Sequence, residues 1–449
     1  MSITDVFSLF HVDILSIVMI SLVSFMGTIV GIFSKNYMKG DALYYRFFLN
    51  IFLLIFSVIF MTISDNILIF LISWVCCNIL MTQLMIHKAT WKAAKASGTL
   101  AFRNFTLGFV FIVLAFFLLY RATGSFSIQY IVHHSNDSFY EIAALGMLLM
   151  SAMTQSAIWP FHLWLTSSLN SPTPVSAIMH AGIVNGGGFL LVRFAPLYFS
   201  TPKILDVIFI AGLVSALLGS VWKLMQYDVK RMLACSTMGQ MGFMLVQCGL
   251  GLFGAALAHL CWHGMFKAYL FLASGGSAQE TRLDLGYPPN LVCFFCALLC
   301  GAWGSYVFSI INHHQWLPLD TTLIPVGIVF ITGAQLALMI LRSRPIKRFL
   351  LGMTLTTVVA VLYGTNVYVF DLILSPLRLM QPNPLHPFHI SLLIIMTLSW
   401  GFILFVRYSN TQSELPCWVL NIYVKMLNTS QPHPSTVTTH HNGYDLGRI

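Results

Sequence analysis

The chain has 449 residues, of which 57% are hydrophobic and only 8% charged, with 23 basic and 14 acidic side chains and a formal net charge of +9. A soluble globular protein runs at about 25% charged residues, so too few charges are present to cover a soluble domain of this length. Soluble enzymes, disordered chains and coiled coils are excluded, and a polytopic membrane protein remains.

Runs such as 47–63 and 204–221 are apolar on every face. A membrane β-barrel would instead alternate apolar and polar residues in strands of about ten. Lipid forbids unpaired backbone, so these runs predict helices. In chain order, spans are expected at 13–33, 47–63, 67–86, 99–120, 141–157, 174–194, 205–223, 232–250, 253–274, 289–311, 323–341, 349–369 and 388–407. Each is close to the ~20 residues that cross ~30 Å of hydrocarbon. Pro160, Pro172 and Pro174 would each interrupt a regular helix. The expectation is an all-α polytopic membrane protein of about 12–13 transmembrane helices, with a broken helix near residues 160–174. The N-terminal segment lacks a basic region and a small-residue cleavage site, so no cleaved signal peptide is expected.

The basic residues orient the chain. With the N-terminus outside, inner loops hold Lys35, Lys39, Lys88, Lys92, Lys95, Arg231, Arg282, Arg342, Arg344 and Lys347, while outer loops hold little beyond Arg121, Lys203 and Arg378. That asymmetry follows the positive-inside rule and places the C-terminal tail in the cytoplasm. Because the charge is spread over short loops, no nucleic-acid partner is expected. No linker divides 1–407, which reads as one transmembrane domain with its core at about 66–276. Residues 408–449 read as a short interfacial segment followed by a polar tail, whose His440-His441 run has a metal-binding composition but reads as solvated. The nine cysteines give no disulfide framework; Cys293 and Cys296 have metal-like spacing, yet their Val, Phe, Ala and Leu flanks indicate packing.

Ionisable side chains inside spans are rare, which makes each a functional candidate. His259, His263 and Lys267 recur at i, i+4 and i+8, forming one stripe ~12 Å long on a helix face. Histidine exchanges protons near neutrality and a buried lysine can lose its charge, so the stripe reads as a proton wire. Structural hydrogen bonding between helices is the bland alternative. A zinc site on His259 and His263 lacks a third local ligand. His180 follows the broken-helix signal and precedes Asn185 and three glycines, so it is a candidate beside an ordinary core histidine. Lys223 lies near the inner end of its span, where it serves as a candidate or simply snorkels. No Walker A loop, dinucleotide fingerprint or convincing haem or iron–sulfur spacing is found. No acidic residue is expected at mid-span, Glu141 and Asp206 lying near outer ends.

Three stretches, 156–194, 227–244 and 259–275, resemble the proton-antiporter core shared by the large membrane subunits of respiratory complex I and the Mrp antiporters. Tyr37-Met-Lys-Gly-Asp41 and Arg46-Phe-Phe48 are similar to its chain 5 (L-type) branch, and the string MGQMGFMLVQCGLGLFGAALAHL at 238–260 resembles the DabB family within it. The resemblance implies a membrane subunit of an energy-coupled inorganic carbon pump. Its partner would be a DabA-like zinc protein similar to β-carbonic anhydrases, so zinc is expected in the partner and no cofactor in this chain. A subunit of a cation/proton antiporter or of a redox-driven proton pump is the alternative. The resemblance places His180, His259, His263 and Lys267 at family channel positions. It also marks two departures: Val75 stands where the family has its channel glutamate and Gln155 where it has its channel lysine.

Overall fold

Helices begin where the sequence supplies caps and prolines. In the computed structural model of the chain, residues 9–134, 138–279, 289–313, 315–341, 345–409 and 417–437 are described. Helix α1 (Ile14–Tyr37) starts at Asp13, whose carboxylate accepts the Ser16 amide at 2.8 Å, satisfying one of the free donors at a helix N-terminus. Helices α2 (Tyr44–Ile63), α3 (Ile67–Met85), α4 (Lys92–Thr123), α5 (Ile128–His133) and α6 (Phe139–Gln155) follow. The chain then breaks as its prolines predict. It forms α7 (Leu163–Thr166), α8 (Thr173–Ile178), a π-helical turn (Met179–Ile183), α9 (Asn185–Arg193) and α10 (Ala195–Phe199). Pro174, Pro196 and Pro202 all fall in the first turn of a helix, where a missing N–H removes no intrahelical bond. Then come α11 (Pro202–Leu224), α12 (Val229–Gly249), α13 (Phe253–Ala273), α14 (Leu291–Ile311), α15 (Leu323–Leu341), α16 (Pro345–Leu374), α17 (Pro387–Ser409) and α18 (Cys417–Thr429).

Among the described residues no strand forms beyond isolated bridges, and nine helical segments are long and apolar enough to cross a membrane. The sequence predicts twelve or thirteen. The difference lies in α6, α12, α13 and α17. Helix α6 has 17 residues, α12 opens with Lys230 and Arg231, and α17 is strongly apolar only over Pro387–Phe402. Helix α13 carries His259, His263 and Lys267, so the stripe that marks a candidate site also lowers the apolarity of its helix.

Two compact units are present. The first comprises Met1–Gly249, His259–Gln279 and Leu420–Ile449, and the second Leu250–Ala258 and Glu280–Val419. In the second, Cys293 and Cys300 pack with Ala297, Ala337, Leu338, Leu341 and Leu404, which is the packing role their flanks indicate. In the first, Arg193 at the end of α9 pairs with Asp13. It also donates to Ser16 Oγ at 3.0 Å and to the Thr62 carbonyl at 2.7 Å, tying the broken helix to α1 and α2.

Helices α11 and α12 meet backbone to backbone. A Cβ on Gly219 would lie 2.4 Å from the Gly239 nitrogen, and one on Gly242 2.4 Å from the Ala216 nitrogen. Small residues permit this approach where lipid offers no hydrophobic drive for association. Gly242→Val is expected to cost about 1–3 kcal/mol, because main chain cannot step aside as a flexible side chain does. Gly146→Ala, whose Cβ meets nothing within 4 Å, serves as the harmless control. Thermal unfolding in detergent measures both, and equal midpoints would contradict the close contact.

Residues 430–437 are bonded to the same unit. Gln226 Nε2 donates to Ser430 Oγ at 2.8 Å, the His433 amide to Ser167 Oγ at 2.9 Å, and Asn170 Nδ2 to the Thr436 carbonyl at 2.8 Å. Helix α18 leaves Trp418, Ile422 and Tyr423 exposed. The His440-His441 run, Arg282, Arg342 and Arg344 lie outside the described residues.

Candidate functional site

The predicted stripe forms on α13. The His259 and His263 rings lie nearly parallel, 6.0 Å between centroids and 13° between planes, as an i, i+4 spacing requires. The Phe243 ring of α12 meets His259 edge-on at 5.3 Å. Both ring nitrogens of His263 and the Nε2 of His259 are buried without a hydrogen-bond partner. Lys267 is 1% exposed, and its ammonium donates to the Leu233 carbonyl of α12 at 3.1 Å.

That carbonyl is shared. Thr237 Oγ1 donates back to Leu233 O at 3.0 Å, and His180 Nδ1 lies 3.0 Å from Thr237 Oγ1. With its one hydrogen committed to Leu233, the Thr237 hydroxyl accepts from His180, which assigns the His180 proton to Nδ1. A connected chain results: Lys267 Nζ, Leu233 O, Thr237 Oγ1, His180 Nδ1. The His180 ring also stacks on Phe271, one turn beyond Lys267, at 4.2 Å. His180 sits in the π-helical turn, marked by the 3.2 Å bond from the Val184 amide to the Met179 carbonyl; such turns often re-aim a side chain at a functional site. Gly264 lets α13 approach, since a Cβ there would lie 2.8 Å from the Ala181 carbonyl.

The structure thus brings His180 and Lys267 into one network, with His263 and His259 along the same helix. Lys223 is exposed in the last turn of α11. Val75 is half-buried on α3. Gln155 Nε2 donates to Asn78 Oδ1 at 3.1 Å and to the Ile183 carbonyl at 3.3 Å, so the partner of position 155 is Asn78, one turn from Val75. In the loop after α1, the Leu43 amide, against the opposing effect of burial, and then His87 at 3.1 Å hold the Asp41 carboxyl below its usual value. Among the described residues no cluster of three His, Cys, Asp or Glu has metal-binding geometry.

Sequence reasoning missed Leu233, Thr237, Asn78, Asn185 and Asp371. Asp371 has Oδ1 buried without a hydrogen-bond partner, 2.5 Å from where a Cβ on Gly254 would stand. It lies two residues beyond the predicted span, because α16 runs on to Leu374. A membrane helix that ends in Asp-Leu-Ile-Leu carried that signal.

Residues 64–286 match the family described as NADH:quinone oxidoreductase/Mrp antiporter, TM, and residues 5–48 match the N-terminus of NADH-ubiquinone oxidoreductase (complex I) chain 5. The chain belongs to the proton-antiporter superfamily of complex I and Mrp membrane subunits. Within this superfamily, a probable inorganic carbon transporter subunit DabB1 of Halothiobacillus neapolitanus is 38% identical over 288 residues, covering 62% of this chain and 52% of the relative. A probable DabB subunit of Bacillus subtilis is 36% identical over 284 residues, 61% of this chain and 55% of the relative. The chloroplastic NAD(P)H-quinone oxidoreductase subunit 5 of Lemna minor is 33% identical over 288 residues, 63% and 39% of the two chains. The matched stretch thus spans about half the length of the DabB relatives. In fold the chain is similar to the Mrp complex from Dietzia sp. DQ12-45-1b, with a TM-score of 0.57 at 20% identity over 96% of this chain and 45% of the other.

Proposed function

We propose that this chain is the membrane subunit of an energy-coupled, bicarbonate-accumulating carbon pump in a bacterial inner membrane. Its N-terminus faces outward and its C-terminal segment the cytoplasm. It supplies a proton or cation path to a DabA-like partner, in which a zinc of β-carbonic-anhydrase type hydrates carbon dioxide. The supporting observation is the bonded chain from Lys267 through Leu233 and Thr237 to His180, in a protein whose relatives include inorganic carbon transporter subunits. Hydration releases a proton, and removing that proton favours bicarbonate. Moving one charge through 100 mV is worth about 2.3 kcal/mol, a bias of more than tenfold. Lys267 is the central carrier, His263 and His259 are relays, and His180 is the neighbouring link. Lys223 is assigned a place at the inner end of this path.

The second reading is a subunit of a cation/proton antiporter or of a complex I-like oxidoreductase, favoured by the quinone oxidoreductase relatives and the Mrp fold. Co-expression with the partner in a strain lacking carbonic anhydrase separates the two. The pump predicts growth in ordinary air that an uncoupler abolishes, with about one zinc per purified pair, held by the partner. Zinc retained by this chain alone, or growth indifferent to the uncoupler, defeats the proposal.

A further inference from the structure

A cavity of about 60 Å³ lies among α1, α2, α3, α6 and the π-helical turn. It is nearly all apolar, walled by side chains such as Met19, Leu54 and Ile183, with Trp74, Asn78, Gln155 and Asn185 as its polar corner. These four are 2%, 6%, 5% and 1% exposed. Three of their polar atoms have no hydrogen-bond partner: the Trp74 indole N–H, Asn78 Nδ2 and Asn185 Oδ1.

The surrounding bonds fix which atoms are left over. Gln155 spends its Nε2 on Asn78 Oδ1 and the Ile183 carbonyl, so the Asn78 amide presents its N–H₂. Asn185 spends its Nδ2 on the Ala181 carbonyl at 2.6 Å, so it presents its oxygen. Unpaired buried polar groups are costly, and two donors and one acceptor at one small cavity describe a guest. Its ends accept hydrogen bonds and its middle is electron-poor. No lining residue carries a charge, so an ion would lose its hydration without replacement. The volume equals roughly two waters' share of liquid, about 30 Å³ each, room for about three heavy atoms.

We propose that this cavity is a binding site for molecular carbon dioxide, held between the Trp74 and Asn78 N–H groups at its oxygens and the Asn185 carbonyl at its carbon. The choice of guest rests on the carbon-uptake reading above. Carbon dioxide is linear, has three heavy atoms, is uncharged and dissolves in hydrocarbon. Val23, Ile55 and Val58 line the cavity and are half-exposed on α1 and α2, which gives a lateral route from lipid. Bicarbonate is excluded by its charge. The position where the superfamily keeps an ionisable lysine is here a neutral solute site.

The test is the infrared antisymmetric stretch of ¹³C-labelled carbon dioxide, recorded on the full chain in nanodiscs under increasing gas pressure. A saturable band shifted from that of gas dissolved in lipid is expected. Gly182→Val fills the cavity from a wall position whose Cβ meets nothing within 4 Å, and Asn78→Leu removes a donor at nearly constant volume. Each is expected to weaken the band at least tenfold, with helicity unchanged by circular dichroism. Wild type without a shifted band, or a band unaffected by both folded variants, overturns the site, and so does a cavity holding only ordered water under the gas. Carbon accumulation by cells expressing chain and partner is scored in parallel. Accumulation without the band defeats this site and leaves the pump standing. The band without accumulation keeps the site and defeats the pump.

Discussion

Lys267→Met is expected to abolish carbon accumulation while leaving membrane insertion and partner binding intact. A lysine at the centre of a span is unfavourable by roughly 2.5–3.5 kcal/mol, so a passive helix would be served better by Met or Leu. Lys267 is instead 1% exposed and bonded to the Leu233 carbonyl, where Met fills the space but cannot take up or release a proton. Lys267→Arg is expected to fail as well, because a guanidinium stays protonated. His263→Ala is expected to be milder, since water fits where the ring was. The measurement is bicarbonate accumulation in energised cells at matched amounts of assembled complex. Full accumulation by Lys267→Met would remove the stripe from the mechanism.

Arg193→Leu is expected to be among the most damaging single changes to the fold. Arg193 is 7% exposed and holds Asp13, Ser16 and the Thr62 carbonyl together from one guanidinium. Its loss leaves the Asp13 carboxylate buried without its counter-charge, a change that costs about 3–5 kcal/mol. Asp13→Leu combined with Arg193→Leu is expected to recover much of that loss, because removing both partners leaves no stranded charge. Urea unfolding in detergent reads both. A single variant as stable as wild type would show that the pair is unimportant to folding.

The helical membrane architecture was legible because lipid restricts the chain so severely. Long apolar runs had only one structure open to them, and Pro160, Pro172 and Pro174 marked where the helix fails. The His259, His263 and Lys267 stripe was legible for the same reason: against a background of Leu, Phe and Ala, three basic side chains at one spacing stand out. What joins them to His180 was not. The acceptor of Lys267 is the main-chain carbonyl of Leu233, and any residue would offer the same carbonyl. Thr237 is an ordinary helical threonine until α11 and α12 meet across their glycines and bring it to His180. Asn78 and Gln155 stand 77 positions apart, and no periodicity links them. Single-helix patterns show in a sequence, whereas inter-helix geometry depends on which faces meet.

The bonds made by residues 430–437 have a consequence for how the protein is built. Ser430 reaches back 204 positions to Gln226, and His433 and Thr436 each reach back 266, to Ser167 and Asn170. Synthesis runs from the N-terminus, so the ribosome finishes every helix of the first unit before these partners exist. Until then Ser167, Asn170 and Gln226 lack those bonds at a face already committed to the membrane. Closing that face is therefore a late event in biogenesis. A chain stopped before residue 430 would carry all of its site residues yet present unfinished polar ends to the quality-control proteases of the membrane.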